Sequence, residues 1–213
     1  MTRMWKQVIT IAFAGVGLGV FAGCGDSNVE TVAKNEAPQT APAERPNPHA
    51  TSETAGGSAA VAGITWSVPA NWKIGPERQM RKATYIVGDG ADAADCAVFF
   101  FGPGQGGDVE SNIDRWIGQF VQADGSASKD KARISEHMIS EMKVRTIDLS
   151  GTYTASMGGP MSGQTENRPG YRMLGAIVEA PEGPVFFKLT GPEATVVNAL
   201  DDFMQLVESV KKS

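Results

Sequence analysis

Residues 64–68, Ile64-Thr65-Trp66-Ser67-Val68, alternate apolar and polar side chains as a half-buried strand does, and Pro69 closes the run. A second strand is expected over 82–87, ahead of the Gly-Asp-Gly turn at 88–90. Residues 96–101, Cys96-Ala97-Val98-Phe99-Phe100-Phe101, are apolar throughout, the pattern of a strand covered on both faces. Val109, Ile113, Trp116, Ile117, Phe120 and Val121 then recur at helical spacing behind Asp108, a good N-cap, and stop near Asp124-Gly125. Residues 133–139 and 143–153 predict two strands joined by a short turn, and 171–179 with 185–190 a hairpin around Pro181-Glu182-Gly183. Gly191-Pro192-Glu193 opens a last helix whose buried stripe would be Val196, Val197, Leu200, Phe203, Met204, Val207 and Val210.

Two helices cannot alternate with that many strands as a doubly wound sheet requires. The expectation is an α+β domain over 61–213: a mainly antiparallel sheet of six to seven strands, covered by two main helices as an α/β/α sandwich.

The N-terminus follows a different pattern. Arg3 and Lys6 precede an uncharged stretch, 8–23, that contains Gly15, Gly17, Gly19 and Gly23. This matches the n- and h-regions of a secretory signal and falls short of the roughly 20 apolar residues a bilayer-crossing helix needs. Phe21-Ala22-Gly23-Cys24 resembles the lipobox of bacterial lipoproteins, with Phe21 where the family usually has an aliphatic residue. The resemblance implies a signal peptide over 1–23 and acylation of Cys24 as the mature N-terminus. Two or more acyl chains, at about 0.8 kcal/mol per buried methylene, would anchor the chain stably to a membrane. The implied location is outside the cytoplasm, facing the periplasm, with the choice between inner and outer membrane open.

From 25 to about 60 the chain turns to Ala, Pro, Thr, Ser, Glu and Asn, including Pro38, Pro42, Pro46 and Pro48. Such a segment cannot bury enough surface to offset its ordering entropy, so 24–60 reads as a lipidated cysteine and a disordered tether. As a flexible chain it would span roughly 30–35 Å. His49 in this tether reads as solvated.

Charge excludes one class of partner. With 19 Lys and Arg against 24 Asp and Glu, the formal charge is −5, which argues against a nucleic-acid binder. Once Cys24 is assigned to processing, Cys96 stands alone in the folded part, so no structural disulfide is expected.

Candidate chemistry is sparse. Gly102-Pro103-Gly104-Gln105-Gly106-Gly107 lies between a strand and a helix N-terminus, where backbone amides can cradle phosphate, but no Lys-Ser or Lys-Thr follows, and Asp108, Glu110 and Asp114 put negative charge there. A tight turn with a capped helix fits better. Asp89, Asp92 and Asp95 do not follow an EF-hand spacing and read as a solvated connection. His137 reads as an ordinary strand residue, Cys96 as a buried thiol of raised pKa, and Trp66, Trp72 and Trp116 as packing residues. Met157 and Met161 space two thioethers in a segment, 157–170, expected to be a mobile loop. No catalytic residue, cofactor or metal site is assigned. Gly104, Gly106, Gly107, Met157 and Met161 are the candidate ligand or partner contacts.

Val68-Pro-Ala-Asn-Trp72 at the opening strand and the terminal 203–211 run F-M-Q-L-V-E-S-V-K resemble domains of the Mog1/PsbP-like fold. V-F-F-F-G-P-G-Q-G-G-D (98–108) and V-F-F-K-L-T-G-P-E-A-T (185–195) are similar to a group of uncharacterised bacterial lipoproteins. Members of the fold act mostly as binding or assembly-assisting modules, and the resemblance transfers no functional residue. It implies a membrane-anchored, non-enzymatic binding or accessory module, with an envelope protein as a possible partner. A small-molecule or lipid-binding lipoprotein, with an apolar cavity between sheet and helix, is the alternative. A hydrolase is the third reading, and requires His137 or Cys96 in a cleft beside polar partners.

Overall fold

The computed structural model describes residues 56–157 and 164–213, all within one compact unit, Asn47–Ser213. The signal segment, Cys24, most of the tether and Met161 lie outside the described residues. The strands are β1 (Ser58–Val61), β2 (Ile64–Ser67), β3 (Lys73–Ile74), β4 (Ala83–Val87), β5 (Ala94–Phe99), β6 (Phe120–Val121), β7 (Arg133–Ile139), β8 (Met142–Met157), β9 (Gln164–Ala180), β10 (Gly183–Pro192) and β11 (Lys211–Lys212). The helices are α1 (Val109–Ile117), α2 (Ser128–Lys131), α3 (Glu193–Asn198) and α4 (Leu200–Glu208).

Eight strands form one antiparallel sheet in the order β3-β4-β5-β10-β9-β8-β6, with β7 also pairing with β8, while β1, β2 and β11 form a small second sheet. The class is α+β as expected, but the main sheet exceeds the six to seven strands that periodicity suggests. The extra members are the two-residue strands β3 and β6, too short to show alternation. The chain leaves β5, crosses one face as α1, enters the far edge as β6, and returns through hairpins until β10 closes against β5.

Helices cover both faces. On one, Trp66, Trp72, Tyr85, Cys96, Val98, Phe187 and Leu189 form a continuous core with Val196, Phe203, Leu206 and Val207 from α3 and α4. On the other, Ile113, Trp116 and Ile117 of α1 pack on Ile147, Leu149, Met173, Ile177 and Phe186. Each such side chain contributes roughly 1.5–3 kcal/mol when fully removed from water. The two end motifs meet in the first core. Val68 and Trp72 are buried with Phe203, Val207 and Val210, Asn71 Nδ2 donates to Asp202 Oδ2 at 2.7 Å, and the Ser67 amide donates to Ser209 Oγ at 2.8 Å.

Several boundaries differ from the sequence reading. Strand β1 begins at Ser58, inside the segment read as tether, because it pairs with β2 across the Ala62-Gly63 turn, where both residues have positive φ. The first helix ends at Ile117, and Phe120 and Val121 lie in β6, where Phe120 faces Tyr153 of β8. Helical spacing would also bury Phe120, so only pairing with a distant strand decides its conformation. The last helix divides at Ala199 into α3 and α4, which turns Val197 out of the expected stripe to 44% exposure. Residues 164–170, expected in a loop, are strand, paired with the end of β8.

Candidate functional site

On β10, Val185, Phe187 and Leu189 face the core under α3 and α4, so the alternation places Phe186, Lys188 and Thr190 on the opposite face. That puts a lysine in the middle of a central strand. Its cross-strand neighbours are small: Ala97 on β5 and Gly175 on β9. Gly175 has no room for a side chain, since a Cβ there would stand 2.5 Å from Trp116 Cζ3. The indole of α1 therefore rests on the sheet at Gly175, beside Lys188, whose side chain keeps part of its surface in solvent.

Lys188 Nζ donates to Gln119 Oε1. It also lies 5.3 Å from the ring centre of Tyr153 and 5.9 Å from that of Trp116, within cation–π range. Tyr153 stacks on Tyr171 at 6.1 Å and 10°, and Phe99 on Phe101 at 6.0 Å and 12°, and all four rings keep part of their surface in solvent. A shelf of half-buried aromatic rings thus flanks the lysine.

The nearby carboxylates are committed elsewhere. Asp95, two positions along the face on β5, receives Arg81 Nη1 on both oxygens at 2.7 and 3.0 Å, and Arg81 lies over Phe99. Glu166 is held by Arg168, which lies over Tyr171. Among the described residues Lys188 has no ion pair. Withdrawal from water lowers its ammonium to about 7, with repulsion from Arg115 and Arg81 adding to the effect and Asp95 partly offsetting it. Burial likewise raises the Tyr153 hydroxyl, Asp95 adding to the rise and Arg168 and Arg81 opposing it. Thr190 Oγ1, on the same face, is buried without a hydrogen-bond partner.

The glycine-rich turn forms one wall of this basin. A Cβ on Gly106 would stand 2.8 Å from Phe101 and 3.3 Å from Phe186, so Gly106 lets the turn lie flat on those rings. It is closed internally. Asp108 Oδ1 accepts the Ser111 amide at 2.9 Å, and the buried Asn112 donates to Gly106 O and Asp108 O. The helix N-terminus is thereby occupied by the chain's own carboxylate, as the capped-turn reading requires. Gly104 and Gly107 belong to the same turn. Met157 is the last residue of β8, paired in register with Gln164 of β9.

The remaining candidates lie elsewhere. Cys96 is wholly buried, and burial pushes its thiol up. His137 is exposed on edge strand β7, with Nε2 3.3 Å from Thr146 Oγ1, and borders an open groove of about 250 Å³ between β7, β8 and α4. A larger groove of about 440 Å³ runs by Asp124, Lys131 and Arg133, away from Lys188, and its carboxylate Asp124 is held low, to about 2, by Ser126 and Lys131. Asp89 pairs with Lys73, and Asp95 stands inside β5, outside the connection in which the sequence reading placed it. Trp66, Trp72 and Trp116 are buried, at 2%, 0% and 4% exposure, as packing residues. Sequence reasoning missed Lys188, although the polar residue interrupting V-F-F-K-L-T was a visible signal.

Neither a family model nor a curated protein sequence matches the chain. Among solved structures it is similar to the cyanobacterial PsbP, CyanoP, from Synechocystis sp. PCC 6803, at 10% identity over 71% of this chain and 88% of that one, with a TM-score of 0.45. It is also similar to LpqN, involved in cell envelope biogenesis of Mycobacterium tuberculosis, at 10% identity over 70% of this chain and 82% of that one, with a TM-score of 0.41.

Proposed function

We propose that this chain is a lipid-anchored, extracytoplasmic binding module of Mog1/PsbP-like fold that holds its partner or ligand at the basin around Lys188 and carries out no reaction on it. The observation that carries the binding role is the ammonium of Lys188, set among rings on a central strand with no carboxylate paired to it among the described residues. Rigid placement of a charged group is what recognition uses. Cys96, sealed in the core, offers no nucleophile to solvent. The fold assignment is supported by the packing of the two end motifs against each other. The anchor rests on the residues before Cys24.

Two measurements test this. Mass spectrometry of the native protein is expected to find Cys24 acylated at the N-terminus, and an intact initiator methionine with a free thiol would overturn the anchor. Cross-linking in intact cells is expected to retain a specific partner or ligand on the wild type and to lose it in Lys188→Met. Equal retention by both would remove the basin from the reading.

A further inference from the structure

Among the described residues the half-buried ammonium of Lys188 has no counter-charge. Lys188 points into the basin from β10. Facing it are Arg81 ahead of β4, Asp95 on β5, Arg115 on α1, Tyr153 on β8, and the Arg168–Glu166 pair with Tyr171 on β9. Asp95 is engaged on both oxygens by Arg81, Glu166 by Arg168, and Arg115 is hydrogen-bonded to Asn112. Among the described residues Arg115 and Lys188 have only neutral partners; Arg115 is exposed to water, whereas the half-buried lysine ammonium is left to an amide and two ring faces. An ammonium taken from water without a counter-charge is unfavourable, so an anion entering here gains a partner that the protein does not supply.

The shape narrows the class. One ammonium is unpaired, which matches a single negative charge. The surroundings are aromatic: Tyr153, Tyr171 and Phe99, on the same face as Lys188, are half-buried and keep part of their surface in solvent. Resting on the binding-module reading above, we propose that the basin takes a planar organic acid, its carboxylate on Lys188 Nζ and its flat body on the shelf of Tyr153, Tyr171 and Phe99. Aromatic stacking and a desolvated charge pair together would give affinity that neither gives alone.

Binding then couples to a proton. A carboxylate on Nζ favours the ammonium, so the lysine titrates higher in the complex than in the free chain. Affinity is flat below the free chain's midpoint and weakens by up to about tenfold per pH unit above it.

The purified full-length chain, with ¹³C-labelled lysine, is titrated with 2-naphthoate, and with 2-naphthylmethanol, acetate and inorganic phosphate as comparators. The expected result is saturable naphthoate binding that raises the Lys188 Cε titration midpoint by about one pH unit or more. Binding at least about tenfold weaker is expected for the alcohol, for acetate and for phosphate, and for naphthoate with Lys188→Met. Phosphate equal to naphthoate, or naphthoate bound equally by Lys188→Met, overturns the organic-acid proposal. If naphthoate fails while cells still lose a cross-linked partner in Lys188→Met, the ligand class falls and the binding module stands. Failure of both removes both.

Discussion

Lys188→Met probes the electrostatics of the basin through stability. Methionine keeps the apolar stem and removes the charge. In the folded chain the ammonium falls from 10.5 to about 7. At about 1.36 kcal/mol per pH unit, that displacement corresponds to an upper bound of about 5 kcal/mol of folding free energy. Lys188 keeps partial contact with solvent, which screens the charge, and the variant loses the bond to Gln119 and two ring contacts. A net gain of about 2 kcal/mol at pH 7 is therefore expected for the variant. The sign follows from proton binding. The unfolded chain holds this proton more tightly than the folded chain, so wild-type stability rises with pH from about 7 towards 10.5 and the variant's does not. Urea unfolding followed by tryptophan fluorescence at pH 6, 7, 8 and 9 reads both effects. The advantage of Lys188→Met should be constant below pH 7 and shrink above it. A pH-independent difference, or a variant less stable than wild type at pH 7, would refute the account.

Gly175→Ala would force a Cβ to within 2.5 Å of Trp116 and 2.7 Å of Ile147. A loss of about 1–3 kcal/mol with an altered near-ultraviolet tryptophan signal is expected, and wild-type stability would show that α1 can lift freely from the sheet. Burial alone would raise the Asp148 carboxyl, but Arg172 and Arg133 hold it below its usual range, with Arg172 on both oxygens at 2.7 Å. Its contribution is present above the unfolded carboxyl pKa and lost as pH falls through the lower folded value, so Asp148→Asn should cost about 1–2 kcal/mol at pH 7 and less under acid. Acid and neutral urea melts measure this, and an equal loss at both would count against it. Cys96, wholly buried and raised by burial and Asp95 with Arg81 partly opposing, should resist iodoacetamide at pH 8 in the folded chain and react in urea. Equal labelling rates would contradict that.

Where a strand alternates, as at 64–67, its sequence was enough to place it, because burial of one face imposes a period of two that needs no knowledge of the partner. The capped start of α1 was legible for a similar local reason: Asp108 and Ser111 satisfy the first turn within the segment itself. The site was not. Lys188 looks like a polar position in an apolar strand until Gly175, Ala97 and Trp116, all distant in the chain, are brought around it.

By itself the chain determined that alternating and helical-period segments form an antiparallel α+β domain, since local periodicity and backbone preference act within a few residues. The tertiary structure alone decided that Phe120 extends into a strand, that the last helix breaks at Ala199, and that one lysine is half-buried with no carboxylate paired to it among the described residues. Those outcomes depend on which surfaces meet across the sheet, and the energy of a desolvated charge exists only once they have met.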